Sequence, residues 1–184
     1  MNLPVQAEEF KSPKGFSLTC PDGWDVAPEE QLKKIAEETK KVIGTAPDFA
    51  VMIFGPRSDN FSATINVIVA SGNVSLNTKN EKDIATAMQA QFGNGGKELP
   101  IKTGHITIDG KKAFTMAFER TEPTSGKTIR QWSVMLPGRK QMYTFTCTAS
   151  KSQWGDVWEG FHDIVLSAKI DLGDQEAKTD AAAK

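Results

Sequence analysis

Chemistry in this chain would fall first on two histidines, His105 and His162, and two cysteines, Cys20 and Cys147. A zinc or other transition-metal site needs several His, Cys or carboxylate ligands at short spacing, usually with one pair on a single turn or helix face. Neither histidine has such a neighbour, and there is no His-Glu-x-x-His or Cys-x-x-Cys. His105 lies between Thr103 and Thr107, and His162 follows an apolar stripe and precedes Asp163. Both read as surface or edge residues rather than as ligands or bases. The glycine run Gly93-Asn94-Gly95-Gly96-Lys97 has the flavour of a phosphate loop. However, Glu98 stands where Ser or Thr would meet magnesium, and the run leads toward a strand instead of a helix. It reads as a helix stop and connection. A hydrolase elbow, Gly-x-Ser-x-Gly, is absent. Asp171, Asp174 and Glu176 lack the glycine and spacing of a calcium loop. Asn60-Phe61-Ser62 and Asn73-Val74-Ser75 fit the glycosylation pattern, which matters only on a eukaryotic secretory route. Four tryptophans, Trp24, Trp132, Trp154 and Trp158, would make an aromatic binding surface if they met, yet Trp is usually well buried, so at least three are expected in or beside the core. No catalytic, cofactor-binding or metal residue is assigned, and no cofactor is expected.

The bulk properties narrow the class. A chain of 184 residues is long enough to bury one real core. A net charge of −1 lacks the basic excess of a protein that holds nucleic acid electrostatically, so no nucleic-acid partner is expected. The longest nearly apolar run, Ile65 to Ala70, falls far short of the roughly 20 residues of a membrane helix, so no membrane span is expected. Val5-Gln6-Ala7 before Glu8-Glu9 resembles the small-residue end of a secretory signal, which favours export. In an exported protein Cys20 and Cys147 are competent to form a disulfide; in a cytosolic one they are two buried, free thiols.

The elements that must position these residues are more legible. From Glu98 to Ala149 four strands run in series. Ile106-Thr107-Ile108 meets Asp109-Gly110, a pair suited to a tight hairpin with two positive φ angles. Lys112 to Glu119 places Phe114, Met116 and Phe118 on one face, facing one core layer. After a polar loop at Thr121 to Gly126, Arg130 to Leu136 follows, closed by Pro137-Gly138 as a type II turn. Tyr143 to Ala149 alternates Tyr143, Phe145 and Cys147 against Thr144, Thr146 and Thr148.

Upstream, Phe16 to Cys20 reads as a strand, and Pro21-Asp22-Gly23 turns the chain so that Trp24 packs back. A helix follows from Glu29, with Leu32, Ile35, Ala36 and Thr39 at helical spacing and Gly44 as its stop. Asp48 to Gly55 and Ala63 to Gly72 are strands with little polarity on either face, as expected when both are covered. Asn80 caps a helix over Glu81 to Phe92. Ser150 with Gln153 forms a capping-box pattern for a third helix carrying Trp154, Val157, Trp158, Phe161 and Ile164. Residues 1–15 read as a flexible N-terminal arm, 16–172 as one domain and 173–184 as a disordered tail. The order β-α-β-β-α-β-β-β-β-α predicts an α+β fold: an antiparallel sheet of six to seven strands with helices on both faces.

That order, with Phe16-Ser17-Leu18-Thr19-Cys20-Pro21-Asp22-Gly23-Trp24 at its head, resembles the PsbP-like and DcrB-like proteins. The Asp109-Gly110 hairpin, the Tyr143 to Thr148 strand and the Trp158/Phe161/Ile164 helix sit where that family would place them, and the likeness runs from Phe16 to Ile170. The resemblance implies a PsbP-like α/β/α sandwich. Members include the extrinsic P subunit of photosystem II, envelope lipoproteins such as DcrB, and the Eag chaperones of type VI secretion effectors. It therefore implies a non-catalytic accessory or binding protein, not an enzyme, in the bacterial cell envelope or exported space. The implied localisation is periplasmic or secreted, with a protein partner or envelope component as ligand. The alternative it implies is a cytoplasmic, Eag-type chaperone that shelters apolar helices of secreted effectors. With no lipobox cysteine near residue 1, a lipid anchor is not expected.

Overall fold

The computed structural model describes residues 7–58, 61–72, 76–92, 99–121 and 126–171. The chain order is β1 (Glu8–Ser12), β2 (Phe16–Cys20), β3 (Asp25–Val26), α1 (Glu29–Ile43), β4 (Phe49–Ser58), β5 (Phe61–Ser71) and α2 (Thr78–Phe92). The meander β6 (Lys102–Ile108), β7 (Lys111–Thr121), β8 (Thr128–Pro137) and β9 (Gln141–Ser150) comes next, then α3 (Trp154–Leu166) and β10 (Lys169–Ile170).

Seven strands form one antiparallel sheet in the order β3-β4-β5-β9-β8-β7-β6. Side chains alternate between faces along each strand, so the register sorts the residues into two layers. Ile53, Ile65, Cys147, Trp132 and Ala117 lie in one row across β4, β5, β9, β8 and β7. The neighbouring row, on the opposite face, runs Met52, Asn66, Thr146, Ser133, Met116 and Thr103. The first face carries α3, whose Trp158 ring meets that of Trp132 at 4.9 Å, and Phe161, Ile164 and Val165 of α3 are fully buried. The second carries α2, whose Phe92 stacks on Phe118 at 5.7 Å. Helices thus cover both faces of an α+β sandwich, and Phe114, Met116 and Phe118 are buried in one layer at 3%, 0% and 3% exposure.

Several local expectations are refined. Phe16–Cys20 does not join the main sheet; β2 pairs with β1 and β10 in a separate three-stranded sheet. The seventh main-sheet strand is the two-residue β3, too short to leave a periodic trace. The N-terminal arm is not loose throughout, because Glu8–Ser12 pairs along all of β2 and Phe10 packs on Phe16 at 6.1 Å. A single aromatic among charged residues gives no alternation to read. Asn77 rather than Asn80 caps α2: its Oδ1 accepts from Lys79 N at 3.1 Å and Asn80 N at 3.0 Å. The Asp109-Gly110 turn has φ of 49° and 71°, as a type I′ hairpin requires.

Gly138 is not at a positive φ, so Pro137-Gly138 is not a type II pair. The glycine is needed for close approach instead: a Cβ there would lie 2.7 Å from Asp171 Oδ1 and from the Tyr143 ring. Asp171 accepts from Lys111 Nζ at 2.9 Å and Arg139 N at 3.1 Å. Burial pushes its carboxyl up, but those two bonds together with the Lys111 and Arg139 charges outweigh it and hold it below the usual range. Gly93–Lys97, Asn73-Val74-Ser75, most of the Thr121 to Gly126 loop and the tail from 173 lie outside the described residues.

Candidate functional site

The entry to α3 is held from two sides. The expected capping box is not formed: Gln153 is itself the N-cap of α3 and makes no side-chain cap bond. Ser150 Oγ accepts from Gln153 N at 3.2 Å in the preceding turn, and the Gln153 amide donates to the Pro56 carbonyl on β4. From this anchored start the helix presents Trp154, Trp158 and His162 at four-residue spacing, which places them on one face. Their rings follow one another at 5.7 Å and 5.8 Å. From β8 below, Trp132 lies 4.9 Å from Trp158 and 6.3 Å from His162, and Arg130 sets its guanidinium 5.0 Å over Trp154.

These rings border an open cleft of about 410 Å³ lined by Ala117, Arg130, Trp132, Trp154, Gly155 and Trp158. The small side chains of Ala117 and Gly155 leave the space that the indoles enclose. A second arm of about 150 Å³ shares Ala117 and Arg130 and extends to Pro100, Lys102, Phe118 and Glu119. Glu119 is engaged by Lys151 at 2.8 Å, whereas Arg130 and Lys102 have no carboxylate partner among the described residues. The cleft therefore combines stacking surfaces with net positive charge. It suits an apolar or aromatic group carried next to an anionic one.

No protein-family model matches the chain, and no curated protein matches its sequence. Solved structures do match in shape. Cyanobacterial PsbP from Synechocystis sp. PCC 6803 superposes with a TM-score of 0.58 at 12% identity, covering 92% of this chain and 94% of that one. The fold is PsbP-like. LpqN of Mycobacterium tuberculosis, involved in cell envelope biogenesis, matches with a TM-score of 0.52 at 15% identity over 91% of this chain and 92% of its own. The Ran-binding protein Mog1p of Saccharomyces cerevisiae matches with a TM-score of 0.53 at 10% identity over 91% and 96%.

Within this PsbP-like sandwich the two histidines lie on opposite sides of the sheet. His105 on β6 faces α2, where its Nε2 meets Glu81 Oε1 at 2.9 Å, and His162 stacks on the tryptophans beside α3. They cannot share a site. Trp24, Trp132 and Trp154 are buried, as expected for at least three of the four, while Trp158 is 38% exposed. The sequence signal for the cleft was the four-residue spacing on α3; its meeting with Trp132 and Arg130 is tertiary and leaves none.

Cys20 and Cys147 are free and buried. β2 and β9 are not neighbours, since β9 pairs only with β5 and β8. Burial first, then Glu8 and Asp25, push the Cys20 thiol up to about 11, and burial alone pushes Cys147 well up. Both should resist a thiol reagent at neutral pH in the folded protein, and two equivalents should react after denaturation. An unfolded thiol ionises near pH ~8.5. The native state then binds more protons than the unfolded one, so their contribution to stability is complete below that pH and falls as pH rises toward about 11. Denaturant titrations at stepped pH read this directly; stability rising over that interval would contradict it.

Proposed function

We propose that this PsbP-like protein works by binding a protein partner through the tryptophan cleft, as a non-catalytic accessory protein of the cell envelope or exported space. The observation that carries the reading is Trp158: a large aromatic, 38% exposed, standing beside buried Trp132, Trp154 and the cationic Arg130. Tryptophan and arginine in a well-packed setting are the residue types that dominate binding energy at protein interfaces. The names of two structural neighbours lend support to the class of role: Mog1p is Ran-binding, and LpqN is involved in cell envelope biogenesis. The signal-like Val5-Gln6-Ala7 supports the exported location.

The experiment is affinity capture on immobilised protein from separated envelope and cytosolic fractions of the source cells, with Trp158→Ala alongside. Because Trp158 is partly exposed, the variant should fold normally. It should lose about 2 kcal/mol or more of partner binding, roughly 30-fold in affinity. Undiminished capture by the variant, together with a hydrolytic or metal-dependent activity that disappears in His105→Ala or His162→Ala, would overturn the reading. A partner found only in the cytosolic fraction would overturn the location.

A further inference from the structure

Among the described residues the long edge of the main sheet is open. β6 is its last strand, and its seven residues pair with β7 without a bulge. In a two-residue hairpin the residues flanking the turn exchange both backbone hydrogen bonds, and every second pair after them does the same. Ile108, Ile106, Gly104 and Lys102 therefore bond to β7, while Thr103, His105 and Thr107 direct their N–H and C=O groups away from the sheet. These outward groups have no backbone partner among the described residues. Folded proteins usually blunt such an edge with short strands, charges, prolines or bulges. The opposite edge, β3, is two residues long, and β1 of the small sheet carries Glu8, Glu9 and Lys11. On β6 the blunting is confined to Lys102 at one end.

A receiving surface lies beside this edge. Trp158 and Leu166 are the large hydrophobics exposed among the described residues. They stand eight residues apart on one face of α3, about 12 Å by helical rise, with His162 between them. α3 contacts β6, and Lys102 at the start of β6 lines the second arm of the tryptophan cleft. The His105 side chain is held by Glu81 on the far face, away from the outward backbone groups.

We propose that the partner docks by strand addition: an extended segment pairs with Thr103, His105 and Thr107 as an eighth strand. Its side chains on the α3 side are apolar, and an acidic residue sits at the Lys102 and Arg130 end. This rests on the reading of the protein as a binder of protein partners. The edge, unpaired among the described residues, supplies the backbone complement and the exposed Trp158–Leu166 stripe the apolar one. Lys102 and Arg130, which have no carboxylate partner among the described residues, supply the charge.

The test uses isotope-labelled full-length protein and a capped peptide that alternates valine with threonine and carries glutamate in place of the last valine, so that apolar and acidic side chains share the α3 face. Amide exchange at Thr103, His105 and Thr107 should slow by about tenfold or more on peptide addition, and that at Ile106 and Ile108 should hardly change. Thr103→Pro, which removes one outward donor without touching the β7 ladder, should weaken the peptide about tenfold at an unchanged melting temperature. Should that variant fold poorly, a peptide N-methylated on its pairing edge replaces it and should bind equally weakly to the natural protein. Peptide binding that perturbs Trp158 without slowing exchange on β6 overturns strand addition and leaves the cleft reading standing. No binding up to millimolar peptide overturns strand addition as well; the capture experiment with Trp158→Ala then decides the cleft by itself. Slow exchange of the three amides that depends on protein concentration alone would assign the edge to a second copy of the chain, and the proposal would be wrong.

Discussion

Gly160→Ala should destabilise the natural protein and stabilise the Trp24→Ala variant. The Trp24 indole is clamped between a glycine on β4 and one on α3. A Cβ built on Gly55 would lie 2.6 Å from its ring, and one on Gly160 would lie 2.6 Å from its Nε1. Neither contact is with a flexible chain end: Trp24 is buried and packs edge-on against Phe161 at 5.1 Å. Forcing a methyl into that space costs about 1–3 kcal/mol by overpacking. The same substitution in a helix interior gains about 1 kcal/mol in propensity, so the net loss for Gly160→Ala is about 0–2 kcal/mol. Trp24→Ala should cost about 3–5 kcal/mol as a large-to-small change in the core. Once the indole is gone the clash is gone, and only the helical gain of Gly160→Ala remains. Denaturant unfolding of the four proteins measures this cycle. The same loss for Gly160→Ala in both backgrounds would show that the clamp is not what the glycine serves.

Phe118→Ala should cost about 3–5 kcal/mol as well, lowering the melting temperature by some 2–4 °C for each kcal/mol. Phe118 is buried in the layer opposite α3, where Phe92 of α2 stacks on it with 25° between the rings, and Arg120 lies over Phe92 at 5.2 Å. Its loss therefore removes core packing and the main aromatic contact that seats α2. An unchanged melting temperature would refute the assignment of this face as a second core layer.

The alternation of Phe114, Met116 and Phe118 was enough to place that layer, and the Asp109-Gly110 pair was enough to place its hairpin. Periodicity reports which residues are buried, not what they are buried against. Hence Phe16–Cys20 was legible as a strand while its membership of a small separate sheet with β1 and β10 was not. β3 and β10, at two residues each, are below the length at which alternation exists. Gly138 shows the limit of turn chemistry: Pro-Gly suggests a positive φ, but here the glycine makes room for Asp171 and Tyr143. The cleft was half legible. Trp154, Trp158 and His162 announce one helical face by their spacing, but only the packing of α3 on β8 brings Trp132 and Arg130 beneath them. By spacing the histidines are lone surface or edge residues; the structure separates them across the sheet and gives His162 a stacking role.

Binding through the cleft is read directly from the four tryptophan indole N–H resonances of the labelled protein, titrated with the captured partner. Trp24 serves as an internal control, since it is buried against Gly55 and Gly160 and does not line the cleft. The signals of Trp132, Trp154 and Trp158 should shift or broaden while that of Trp24 stays in place. A partner that binds and leaves the three cleft indoles unmoved would contradict binding through the cleft.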